Sequence, residues 1–149
     1  YVGKEEKKKD FNNLVLISGE DFMKIIVILI IGYLFLSRII ETKKDINGEM
    51  YEKTYSAECS KYKNDKLLKM LGYQSIILGL TYGYVLIQNY NFFINILSII
   101  QILTLFVTIN HQVSDVLNQN YIYHKIHMIF NIILDYLYYP IVLFLLITH

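Results

Sequence analysis

One carboxylate, Asp135, interrupts the apolar run from Ile126 to Thr148. An ionised carboxylate deep in such a run is costly unless it is paired or protonated, so it either binds a partner or handles a proton or an ion. The partners within reach of the pattern are Gln101, a tyrosine hydroxyl, and Arg38 at the end of the first apolar run. At about 100° per residue, His124, His127, Asn131 and Asp135 fall within an arc of ~80° on one helix. A second stripe, Asn95, Ser98, Gln101, Thr104 and Thr108, repeats at spacings of three, three, three and four. The two stripes are expected to face each other, with Gln101 and Asp135 at similar depth. Arg38, Gln101, Asn131 and Asp135 are thus the expected buried polar set.

Histidines supply the other candidate chemistry. His111, His124 and His127, with Asp115, gather near one membrane surface, and the His124 to His127 spacing suits two metal ligands on one helical face. Neither a second close-spaced ligand pair nor a CxxC accompanies them, and axial haem ligation needs histidines on two helices at matched depth. The plainer reading, imidazoles at a polar interface, is preferred, and no metal is expected. The sequence has no phosphate-cradling glycine loop, no HExxH and no Ser-His-Asp order distinguishable from chance. We therefore expect a protein that is not an enzyme and carries no cofactor beyond bound phospholipid.

The elements that hold these residues follow from composition. The chain has 149 residues, 54% hydrophobic and 18% charged, with one Pro, one Cys and no Trp, and its mean hydropathy is +0.37. Disorder, a disulfide scaffold and a collagen-like chain are excluded by that balance. About 20 apolar residues cross the hydrocarbon as a helix. Four segments qualify, at about 22–40, 70–88, 92–109 and 126–148, and the stretch from Met70 through Ser114 holds 45 residues without Asp, Glu, Lys or Arg. The prediction is an all-α integral membrane four-helix bundle. It has a charged N-terminal tail (1–21) and a 29-residue extramembrane loop (41–69) between the first two helices. Ser18-Gly19-Glu20-Asp21 reads as a capping box opening the first span. Gln88-Asn89-Tyr90-Asn91 reads as the turn between spans two and three. Pro140 should bend or loosen the fourth, because it cannot donate to the carbonyl of Tyr136. Glu41-Thr42-Lys43-Lys44 after the first span offers no signal-peptide cleavage site, so that span is read as retained.

In the long loop, Glu49 with Lys53, Lys61 with Asp65 and Asp65 with Lys69 stand at helical spacing, which predicts a short surface helix after Asn47-Gly48. Cys59 lies there as an inert thiol. Of the 14 basic residues, 13 occur at or before Lys69, interleaved with acids, so nucleic acid is not expected as a partner. Lysine counting puts the 41–69 loop and the third loop on the matrix or cytosolic side. Phe, Tyr, Met, Ile, Asn and Lys supply about half of the residues, the mark of an A+T-rich genome, so only the placement of tyrosines and asparagines carries meaning. The tyrosines Tyr136, Tyr138 and Tyr139 are read as facing lipid, a lipid tail or a partner helix. Ser75, Gly79 and Gly83 line one stripe of span two as a GxxxG with a small residue one turn upstream. They predict a close helix contact, either within the bundle or with a neighbouring subunit.

The order of span, long loop, short-linked span pair, loop and span resembles the DoxX-like family of small four-helix membrane proteins, which includes the surfeit-type cargo receptor of the early secretory pathway. The residue-level likeness is a histidine closing span three (Ile109-Asn110-His111) and a lysine opening span four (His124-Lys125-Ile126). Where that family opens its second span with a glutamate followed by glycines, this chain has Gly72-Tyr73-Gln74, then Gly79 and Gly83. The resemblance implies kinship of fold over residues 22 to 148. The leading functional expectation is a non-catalytic accessory subunit of a large membrane complex, a respiratory-chain or ATP synthase assembly of the mitochondrial inner membrane, with other membrane subunits and lipids as partners. The alternatives are a cargo receptor, as the resemblance implies, and a quinone- or haem-linked redox anchor using His111, His127 and Asp135.

Overall fold

The computed structural model describes residues 2–47, 64–118 and 124–149, with side chains from Gly19 in the first helix and from Lys66 in the second. The described residues form four helices: α1 (Val2–Ile46), α2 (Asn64–Gln88), α3 (Phe92–Asn118) and α4 (Lys125–Thr148). All four contain segments long and apolar enough to cross a membrane, and they pack as a bundle. The expected surface helix after Asn47-Gly48, the three loop charge pairs and Cys59 fall outside the residues whose side chains are described.

Helix boundaries differ from the sequence reading at three places. α1 is one helix of 45 residues, about 68 Å at ~1.5 Å per residue, and it passes through Ser18–Asp21 without a break. The expected capping box is therefore interior. Nucleation is the costly step in helix formation, and the Lys- and Glu-rich segment upstream propagates a helix once one exists, so a local start signal is overridden. At the other end α1 runs on to Ile46, where Lys43 and Lys44 sit favourably on the helix dipole, and α2 begins at Asn64. Both helices thus take residues assigned above to the 41–69 loop. α4 runs through Pro140 as one helix.

The turn between α2 and α3 has the predicted chemistry. Asn89 adopts φ 51°, a left-handed conformation that asparagine tolerates better than most residues. The Asn91 side chain accepts from the Ile94 backbone N–H at 2.8 Å, which caps α3, and the Asn95 amide donates to Asn89 Oδ1.

Backbones approach most closely within two pairs, α2 with α3 and α1 with α4. The seam between the pairs divides into two halves. Toward the α2–α3 turn it is closed by apolar side chains, with Val27, Val85, Ile94, Val142 and Leu146 all buried. Toward the opposite end it is polar. Outside the bundle the apolar surface is extensive, with Leu29, Leu80, Ile87, Phe92 and Ile126 each at least two-thirds exposed, as a lipid solvent requires.

Candidate functional site

The polar half of the seam is built from residues that share helix faces. Asp135 and Gln101 are buried at 6% and 4% exposure, and Gln101 Nε2 donates to Asp135 Oδ1 at 2.9 Å. Arg38 reaches across from α1. Its Nε donates to Asp135 Oδ2 at 2.8 Å, and its Nη2 lies 2.7 Å from the same oxygen. The third edge of the guanidinium is held one helical step further out, where Nη1 meets Asp45 Oδ2 at 2.8 Å. One arginine thus bridges a carboxylate deep in the bundle and another near the end of α1. Charge-assisted bonds of this kind are what allow a carboxylate to remain ionised away from water.

Further bonds stitch the two helix pairs together. Tyr82 and Tyr139 share a hydroxyl bond of 2.8 Å, and Ser98 and Tyr138 one of 2.9 Å. Tyr82 also meets the Tyr138 ring edge-on at 5.6 Å between centroids. Higher up, Thr108 Oγ1 lies 2.8 Å from His127 Nε2, and the Asn131 amide nitrogen lies 3.4 Å from Thr108 Oγ1 and 3.3 Å from His127 Nε2. The stripes expected to face each other do so through Ser98, Gln101, Thr108, His127, Asn131 and Asp135. Two members depart: Asn95 serves the α2–α3 turn, and Thr104 turns its hydroxyl onto the Gln101 carbonyl at 2.9 Å.

Between the pairs lies a cavity of about 180 Å³. Its polar walls are Arg38, Gln101, Thr104, Thr108, Asn131 and Asp135, and leucines and the Tyr82–Tyr139 pair complete the lining. The buried carbonyl oxygen of Asn131 has no hydrogen-bond partner in the protein. At the rim, the His111 ring tilts against His124 at 4.3 Å and meets His127 edge-on at 5.8 Å. The three histidines thus do come together, His124 exposed and the other two half-buried. Asp115, one turn beyond His111, is buried. Among the described residues, no group of three His, Cys, Asp or Glu side chains is arranged to hold a metal ion. What the arrangement can do is hold and exchange protons, the ordinary chemistry of imidazole and carboxylate next to hydroxyls.

One sequence expectation is corrected, and another is narrowed to one of its two alternatives. Tyr138 and Tyr139 do not face lipid or a partner: both are buried on the seam, and only Tyr136, 38% exposed, lies outward, bonded to Thr42 and edge-on to Phe35. The signal was available, since Tyr138 and Tyr139 stand three and four residues after Asp135 and extend its stripe. Secondly, the Ser75–Gly79–Gly83 stripe makes no close contact within the bundle. A methyl built at Gly72, Gly79 or Gly83 meets nothing within 4 Å, and Ser75 bonds the Gly72 carbonyl of its own helix. α2 packs instead through Leu67, Leu71, Tyr82 and Val85, roughly a third of a turn away at ~100° per residue.

Compared with family models, with curated proteins and with solved structures, the chain gives no match in any of the three.

Proposed function

We propose that this protein is a non-catalytic accessory subunit of a larger membrane assembly, set in the mitochondrial inner membrane beside respiratory-chain or ATP synthase components. The observation that carries this reading is the Ser75–Gly79–Gly83 stripe, extended by Gly72, at whose glycines an added methyl meets nothing within 4 Å. In lipid, helices associate by close backbone approach and polar bonds, and small residues in register provide the approach. Further support comes from Asp135, which finds its hydrogen-bond partners, Arg38 and Gln101, within its own bundle. The partner is a transmembrane helix with its own small-residue face.

Gly79→Leu tests the reading, because the first carbon of an added side chain at Gly79 meets no neighbour within 4 Å. The variant should insert and fold normally yet be lost from the native assembly, read by native electrophoresis and mass spectrometry of co-purifying subunits. Recovery of an intact assembly containing it would refute the docking role of this face.

A further inference from the structure

We infer that the polar half of the seam is a water-filled chamber, closed toward the α2–α3 turn, through which Asp135 exchanges protons with the aqueous phase at the histidine end. The inference is independent of the accessory-subunit reading and needs only that the bundle be embedded in lipid.

The volume comes first: about 180 Å³ holds roughly six water molecules at ~30 Å³ each, and water occupies buried space when the walls are polar. Here two amides, two threonine hydroxyls and an ion pair from three helices share the lining with leucines and the Tyr82–Tyr139 pair. An anion is disfavoured by the two carboxylates on Arg38, and a cation by Arg38 itself, which leaves water and the protons it carries.

The route comes second. From exposed His124 the groups run through the His111 ring to His127, then through Thr108 and Asn131 to the chamber wall. Each is an imidazole, a hydroxyl or an amide that can hold a hydrogen-bonded proton path, and chains of His and carboxylate groups are the usual form of intramembrane relays. The groups that face Asp135 are Arg38 from α1, with Asp45 on its outer edge, Tyr82 from α2, Gln101 from α3, and Tyr139 on its own helix. A proton delivered by chamber water adds to the Asp135 carboxylate and ends its ion pair with Arg38, which stays bound to Asp45. When the proton returns to the water the pair reforms. The cycle consumes nothing and requires no redox partner. The apolar half of the seam, with Val85, Ile94 and Val142 fully buried, prevents the path from continuing to the other face.

Two measurements on the full chain in lipid vesicles test this, both on a Cys59→Ser background. Thr104→Cys places a thiol on the chamber wall, and Leu103→Cys places one on the adjacent, 59% exposed lipid-facing position. A small charged methanethiosulfonate supplied on both sides should label Thr104→Cys at least about tenfold faster, because a charged reagent enters hydrocarbon only at steep cost. Equal or slower labelling of Thr104→Cys overturns the chamber. Separately, infrared titration should reveal a protonated carboxyl band at low pH that Asp135→Asn removes and that shifts between H₂O and D₂O. Absence of that band, or a band that does not shift, overturns proton exchange at Asp135. Should Asp135→Asn fail to fold, the thiol comparison still decides whether the seam holds water.

Discussion

Replacing Arg38 by Met removes the cation that joins the two carboxylates of the seam. The substitution preserves the length of the aliphatic stem but leaves the Asp135 carboxylate, 8% exposed at its side chain, with the Gln101 amide donating to it and no cation beside it. Removing one partner of a buried pair costs about 3–5 kcal/mol, most of it the penalty of a stranded charge. At about 1.4 kcal/mol per factor of ten, the folded-to-unfolded ratio falls at least about a hundredfold. Asp135→Asn should be milder, roughly 1–3 kcal/mol, because Arg38 keeps Asp45 and the amide can still accept from Gln101. The double variant leaves no charge at position 135, and only Asp45 still loses its arginine, so it should recover part of the loss seen in Arg38→Met. Denaturant unfolding in mixed micelles, followed by helical circular dichroism, gives the three free energies of a double-mutant cycle. Strict additivity of the two single changes would refute the reasoning, since it would mean that the two groups do not depend on each other in the folded bundle.

The Ser98–Tyr138 bond joins the helix pairs in the core, so Ser98→Ala and Tyr138→Phe should each destabilise by about 1 kcal/mol, and the double variant by clearly less than the sum, in the same unfolding assay. At Gly79 the sign reverses: Gly79→Ala meets no neighbour and removes backbone freedom from a helix interior, so the isolated chain should gain about 0.5–1 kcal/mol.

The spans, their number and the α2–α3 turn were legible because hydrophobic length and Asn/Gly turn chemistry are local properties. The polar seam was legible in part for a related reason. Stripes at helical spacing fix which residues share a face, and Asp135 had so few partners at its depth that Gln101 and Arg38 stood out. What could not be read was which face of α2 meets α3. The glycines marked one face as suited to close packing, while the bundle uses the face bearing Leu71, Tyr82 and Val85, a choice set by the neighbouring helices. Tyrosine posed the same difficulty, since its ring suits lipid and its hydroxyl suits a core bond. Only the partners Ser98 and Tyr82 decide between them. The start of α1 was misplaced because a cap signal is weaker than an uninterrupted run of good helix formers on both sides of it.

The two-part seam bears on what the bundle lets through. Val27, Val85, Ile94, Val142 and Leu146 form an apolar stopper beside the hydrophilic half, and an ion entering it would have to give up its hydration. A polar group introduced at Val142 or Ile94 would carry the hydrophilic lining into the stopper and lower that barrier.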